Sequence, residues 1–263
     1  MNYISRFGAA CAIFACVLCQ SATPLPIADA DADAGASLAR AMREAHVSDG
    51  FEVRMSVSIL EPDGDRRAPY RVAVVGQASG DGGWISVRPL VRQAGQAVNV
   101  VARLDAEGAV RAVRLNGRSG APAVAIDPYA DRTLDGLSVW EMLSPWWQWP
   151  QQTLQGETQI AGRTCSLITS RATPDAIVRS VASCVDTRGR IALRTDLLDA
   201  RGERLRRIEV TQVIRNARGS LNPKRILITE PGRAGVELDL YAGDEHYVVD
   251  REAFPALNDA GFR

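Results

Sequence analysis

Six short runs of apolar and β-branched residues, 162–171, 178–186, 192–199, 205–214, 224–229 and 236–242, recur at near-regular spacing through the C-terminal half of the chain. Turn residues separate them, as in Thr187-Arg188-Gly189, Ala200-Arg201-Gly202 and Glu230-Pro231-Gly232. Runs of this length bounded by glycine, proline and aspartate read as antiparallel strands. Side chains alternate along a strand, so Arg206, Ile208, Val210 and Gln212 share one face while Leu205, Arg207, Glu209 and Thr211 share the other. The N-terminal half adds strand signals at 51–60, 70–77, 83–88, 97–104 and 109–115. A sheet that is apolar on one face must hide that face against something. Two helices are available: 36–47, with Leu38, Ala41, Met42 and Ala45 on one side, and 137–143, which runs into a proline-bounded stretch. The expected fold class is therefore mainly β (α+β), a strongly curved antiparallel sheet with helices covering its concave apolar face.

The chain begins as exported proteins do. Arg6 precedes an apolar run, 7–18, and small and polar residues up to Ala28-Asp29-Ala30 offer cleavage sites. The run is too short to span a bilayer. Residues 1–30 read as a cleaved signal peptide and 31–263 as a single domain. The alternative is a lipid anchor at Cys16, because Ile13-Phe14-Ala15-Cys16 loosely resembles a lipobox, although Phe14 fits it poorly. Cys11, Cys16 and Cys19 fall in the leader, which leaves Cys165 and Cys184, an even count suited to an oxidising compartment. If segments 161–172 and 177–186 form a hairpin with Ala172 opposite Ile177, Cys165 lies opposite Cys184. A disulfide there closes a short loop worth about 3 kcal/mol.

Charge and motifs exclude several classes. The 31 basic and 31 acidic residues balance and are scattered, so no footprint for nucleic acid is present. His46 and His246 are the sole histidines, and Gly117-Arg118-Ser119-Gly120-Ala121 lacks the register of a nucleophile elbow. Asp29-Ala30-Asp31-Ala32-Asp33 imitates a calcium loop, but its glycine is displaced to Gly35 and Arg40 stands at the twelfth position. Gly80-Asp81-Gly82-Gly83 leads into a strand and so does not make a phosphate loop. The acidic groups at 127–135 and 196–199 could supply paired carboxylates to a hydrolase, but they read better as turn and strand-edge solvation. The expectation is a protein that is not an enzyme and needs no cofactor and no metal.

What stands out is aromatic. Trp140, Trp146, Trp147 and Trp149, with Met142 and Leu143, gather most of the chain's tryptophan into one segment that reads as a lid or plug. The segment either fills the sheet's concavity or lines a cavity within it.

These residues also carry a family resemblance. Trp140-Glu141-Met142-Leu143, Gly162-Arg163-Thr164-Cys165-Ser166-Leu167, Cys184-Val185-Asp186, the run from Leu193 to Gly202, Pro223-Lys224-Arg225 and Asp250-Arg251-Glu252-Ala253-Phe254 together resemble the outer-membrane lipoprotein-sorting-protein-like family. Its relatives are the LolA and LolB carriers and, more distantly, the sensor RseB. The resemblance covers 137–259, about half the chain. It departs from the family at Cys184-Val185-Asp186, where a tryptophan usually precedes the aspartate, and the N-terminal half matches only in strand rhythm. It implies an incomplete β-barrel, plugged by helices, that encloses a hydrophobic cavity. The protein it implies is a monomeric periplasmic carrier or chaperone for lipid or lipoprotein acyl chains, with an inner-membrane transporter as a further partner. The alternative is an RseB-like envelope-stress sensor, an interaction module without cargo transport.

Overall fold

The computed structural model describes residues 29–45, 48–90, 99–115, 123–134, 136–160, 162–173, 176–216, 219 and 221–249. Residues 1–28 of the expected signal peptide, with Cys11, Cys16 and Cys19, lie outside these residues, as do His46, the 117–121 segment and the 250–254 tail. Helix α1 (Asp29–Ala45) precedes β1 (Ser48–Leu60), β2 (Tyr70–Ser79), β3 (Gly82–Pro89), β4 (Asn99–Leu104), β5 (Val110–Leu115) and β6 (Val124–Ile126). A crossover then carries α2 (Val139–Leu143) and a 3-10 turn, Pro145–Gln148. After it come β7 (Gln151–Ile160), β8 (Arg163–Arg171), β9 (Ser180–Asp186), β10 (Ile191–Leu198), β11 (Arg204–Arg215), β12 (Leu221–Thr229) and β13 (Gly235–Asp244).

All thirteen described strands belong to one sheet, ordered β6-β5-β4-β3-β2-β1-β13-β12-β11-β10-β9-β8-β7. Each half is an antiparallel meander, and the halves join where β13 pairs with β1. Because β6 and β7 are the two edges, the barrel is not closed. The chain between them, 127–150, must pass from one edge of the sheet to the other, and it does so across the inner face. Bulges at Arg54/Met55, around Gln212 and at Leu154/Gly156 bend the strands. Gly156, at φ 115°, supplies a backbone conformation that a side chain would strain.

The inner face carries two apolar clusters. One gathers Met55, Val57, Val72, Val74, Val87 and Val100 beneath Leu134, Leu137 and Val139 of the crossover. The other gathers Ile168, Val181, Val185 and Leu197 beneath Trp146 and Trp147 and against Ala39 and Met42 of α1. Ile208 touches both, so the two form one continuous floor. The curved sheet with helical covers matches the expected fold class.

Three local expectations change. The first helix begins at Asp29 and not at residue 36, with Asp31 and Asp33 in its first two turns, where negative charge complements the helix dipole. Close approach of α1 to β7 depends on Gly35, since a Cβ there would stand 2.7 Å from the Gln152 carbonyl oxygen. Strand β7 has no counterpart among the expected strands, because Gln151–Ile160 is polar and largely exposed, an edge strand without an apolar stripe. The third change is register. Ala172 N–H donates to Arg179 and not to Ile177, and Cys184 pairs with Leu167. Val178 leaves the ladder to become buried in the second cluster. The slip is two residues, an even number, so every side chain keeps its face. Cys165 and Cys184 therefore still share a face and form the disulfide, with Cα atoms 5.4 Å apart, from diagonal positions.

Asp186, at the end of β9, joins this hairpin to the next. Its Oδ1 accepts from the backbone N–H groups of Arg188 (3.1 Å) and Gly189 (3.0 Å), and its Oδ2 accepts from Arg163 Nε (2.9 Å) and Nη2 (2.7 Å). Desolvation pushes this carboxyl up, but the Gly189 N–H and the Arg163 guanidinium outweigh it and hold the group below its ordinary 3.8. A depressed carboxylate contributes stability that is present above the unfolded value and is lost as pH falls through the folded one. Asp186→Asn is expected to cost about 1–2 kcal/mol at pH 7 and progressively less below pH 4, as measured by urea unfolding at several pH values. A deficit that does not change with pH would overturn this account.

Candidate functional site

The site is the crossover and the floor beneath it. After β6, Asp127 turns the chain by accepting at Oδ1 from Tyr129 N (2.9 Å) and Ala130 N (2.8 Å). Leu134 and Leu137 then bridge one another and pack into the first cluster. Ser138 caps α2. Its Oγ accepts from Glu141 N (3.3 Å), and Glu141 Oε2 in turn accepts from Ser138 N (2.9 Å), a reciprocal capping box legible as Ser138-x-x-Glu141. Ser144 ends α2 in the left-handed region, at φ 49° and ψ 54°, and Pro145 opens the 3-10 turn. That reversal delivers Trp146 and Trp147 to the floor.

The aromatic residues divide by depth. Trp146 and Trp147 are 3% and 5% exposed, whereas Trp140 and Trp149 are half-buried. Trp140 is the hub, with ring centroids 5.3 Å from Tyr129, 5.5 Å from Trp146 and 6.2 Å from Trp149. Met142 and Leu143 pack instead against the first cluster. The six residues expected at a lid thus lie in one segment but divide between the two clusters, and they occupy the concavity. An open groove of about 500 Å³ lies elsewhere, at the hairpin tips, lined in part by Asp81, Trp84, Arg103 and Asp105.

Two polar clamps hold the 3-10 turn. Arg43 Nη1, from the last turn of α1, donates to the Trp147 carbonyl at 2.6 Å. Buried Gln152 donates from Nε2 to the carbonyls of Trp146 (2.9 Å) and Trp149 (2.8 Å), and its Oε1 accepts from Ser170 Oγ (2.6 Å). Gln152→Ala leaves buried acceptors and a buried hydroxyl unmatched and is expected to cost about 2 kcal/mol. It is also expected to shift tryptophan emission to longer wavelength. Unchanged emission and melting temperature would show that these bonds do not hold the plug.

A charged latch lies under α2. Arg206 and Glu141 are 2% and 3% exposed, and Arg206 Nε stands 3.1 Å from Glu141 Oε1. Arg206 Nη2 also donates to the Gly136 carbonyl. Arg132 approaches Glu141 Oε2 at 3.8 Å and Glu230 at 3.7 Å, and its guanidinium sits over the Tyr129 ring at 4.9 Å. Burial pushes the Glu141 carboxyl up and the Arg206 guanidinium down, each opposed by the other's charge. Alternation along 205–214 placed Arg206 on the apolar face, yet its charge partner was not legible, because Glu141 lies in a remote segment.

The acidic groups weighed for hydrolysis are otherwise engaged. Asp196 receives a two-pronged contact from Arg207 (2.6 and 3.0 Å), Asp199 caps the turn to Glu203, and Asp131 pairs with Arg114. Among the described residues no group of three or more His, Cys, Asp or Glu is placed to hold a metal ion, and no helix is long and apolar enough to cross a membrane.

No family model matches the sequence, and no curated protein matches it. Solved structures do. A DUF1329 family protein from Desulfovibrio piger superposes with a TM-score of 0.73 at 14% identity, covering 85% of this chain and 97% of its own. An outer membrane lipoprotein-sorting protein domain from Vibrio parahaemolyticus gives 0.68 at 10% identity, over 86% of this chain and 98% of its own. A LolA superfamily protein from Nitrosomonas europaea gives 0.62 at 12% identity, over 84% and 96%. At such identities the likeness is one of architecture, and with the unclosed antiparallel barrel and its helical plug it gives this chain a LolA-like fold.

Proposed function

We propose that this protein is a periplasmic, non-enzymatic carrier or chaperone that takes the acyl chains of a lipid or lipoprotein onto its concave face when the tryptophan segment lifts. A single observation carries the reading: one continuous segment, 127–150, is the cover of much of an apolar floor, and it is tethered at the two unpaired edges of an unclosed sheet. Such a cover can hinge without unpairing any strand. The names of two of the structural neighbours, a lipoprotein-sorting domain and a LolA superfamily protein, support the same direction.

The energies are compatible. Burying a methylene contributes about 0.8 kcal/mol, so a chain of about fifteen methylenes gains on the order of 12 kcal/mol. Undocking two buried tryptophans costs about 3–5 kcal/mol each. An acyl chain can therefore offset the undocking of Trp146 and Trp147 from the second cluster. Loading by an inner-membrane transporter belongs to this reading, as does export through residues 1–30.

A second reading, the RseB-like interaction module, is favoured by the same filled concavity, since a protein that carries nothing needs no space. Mass spectrometry of organic extracts from protein purified out of a periplasm without detergent separates the two. A stoichiometric lipid is the expected result. Empty protein that also takes up no apolar fluorophore would overturn the carrier reading in favour of the interaction module.

A further inference from the structure

Arg206 is the one cation buried among the apolar floor residues of the described sheet. Its cross-strand neighbour is Leu197, fully buried, and Ile208 follows it on the same face. An arginine here costs desolvation and is tolerated only with a close anion. That anion, Glu141, belongs to the cover and not to the sheet.

The pairing is incomplete in geometry. Glu141 Oε1 and Arg206 Nε lie 3.1 Å apart but are not aligned as a hydrogen bond, and Arg206 Nη1 has no hydrogen-bond partner among the described residues. The other charged groups facing the pair are Arg132, also on the cover, and Glu230, 22% exposed and 4.0 Å from Arg206 Nε at the rim. When α2 lifts, Glu141 leaves with it. Arg206 is then a guanidinium in an apolar trough whose remaining anion is Glu230, part-exposed at the rim and 4.0 Å from Nε. An incoming acyl chain with a neutral end would leave that charge with the rim carboxylate of Glu230 alone, whereas an anionic end would present two oxygens to the planar fork.

We infer that Arg206 is the headgroup site of the concave face, and that the ligand is an anionic amphiphile whose carboxylate or phosphate replaces Glu141 as the counter-ion. Glu141 is in this sense an internal surrogate for the ligand's head, holding the cover shut until a competing anion arrives. The inference rests on the carrier reading and narrows its substrate class.

The test is a fluorescence titration of the purified protein at pH 7 with cis-parinaric acid and with its methyl ester, which share a chain and differ in charge. The acid is expected to bind at least tenfold more tightly than the ester. Glu141→Gln, which removes the competitor, is expected to tighten acid binding about tenfold. Arg206→Met alone strands Glu141 and can fail to fold, so the decisive variant is Glu141→Leu with Arg206→Met, in which the acid-to-ester ratio is expected to fall to about one. Displacement of parinaric acid by dodecyl phosphate, but not by dodecanol, assigns phosphate heads to the site as well. Failure of dodecyl phosphate to displace it restricts the site to carboxylates. Equal binding of acid and ester by the native protein, or an acid preference that survives in the double variant, would overturn the headgroup site while leaving the carrier reading intact. No uptake of either probe removes both.

Discussion

Arg206→Met is expected to destabilise the protein by about 3–5 kcal/mol at pH 7, although methionine is apolar and fits the floor. The cost comes from Glu141, left in the interior without its counter-ion, and from the Gly136 carbonyl, which loses its donor. Removing both charges in Glu141→Leu with Arg206→Met is expected to restore part of that stability, because no uncompensated charge remains, while the Ser138 cap and the Gly136 carbonyl stay without their partners. Urea unfolding of the two variants and the native protein measures the difference. In Arg206→Met the attraction that opposed burial is gone, so the Glu141 carboxyl rises further above its ordinary 4.5. A raised carboxyl contributes stability below the unfolded value and loses it as pH rises through the folded one. The deficit of Arg206→Met is accordingly expected to shrink on acidification toward pH 4.5. A deficit that is equal at both pH values would show that packing, not charge, sets the cost.

Trp146→Ala is expected to cost about 3–5 kcal/mol by leaving a cavity between the 3-10 turn and the floor. For a domain of this size that corresponds to a fall in melting temperature of about 6–20 °C. The side chain is nearly fully buried, lies tilted against Trp140 and Trp147, and rests in the cluster of Ile168, Val181 and Leu197. Its Nε1 has no hydrogen-bond partner among the described residues, so its contribution is apolar area and shape. Trp146→Phe should therefore retain much of the stability. Because the turn holds the cover down, Trp146→Ala is also expected to raise uptake of an apolar fluorophore relative to the native protein. Melting temperatures for the two variants, with dye titration, check both effects. A loss of stability in Trp146→Phe equal to that in Trp146→Ala would mean that the indole as such, and not buried area, is what the site requires.

Local rules made most strands legible. Strands β1–β5 and β8–β13 announce themselves through alternation and through turns such as Pro62-Asp63-Gly64-Asp65 and Ala200-Arg201-Gly202, because side-chain periodicity and turn chemistry depend on neighbours within a few residues. The tryptophan segment was legible for the same reason, as a proline-bounded aromatic run that no strand could absorb. So were the shared face of Cys165 and Cys184 and the inward facing of Arg206, which follow from parity alone.

Other features needed the assembled molecule. Strand β7 carries no apolar stripe, and what makes it a strand is the ladder to β8 on one side and α1 on the other. The two-residue slip between β8 and β9 goes with the burial of Val178 in the second cluster, a contact outside the hairpin. The partnership of Glu141 with Arg206 joins residues far apart in the chain, and only the crossover between the sheet's two open edges brings them together. The amino-acid order by itself determined the class of fold and the segment that covers it, since both rest on short-range patterns. The tertiary structure alone decided the register, the edges and the buried ion pair, since each depends on which distant residues compete for the same interior space.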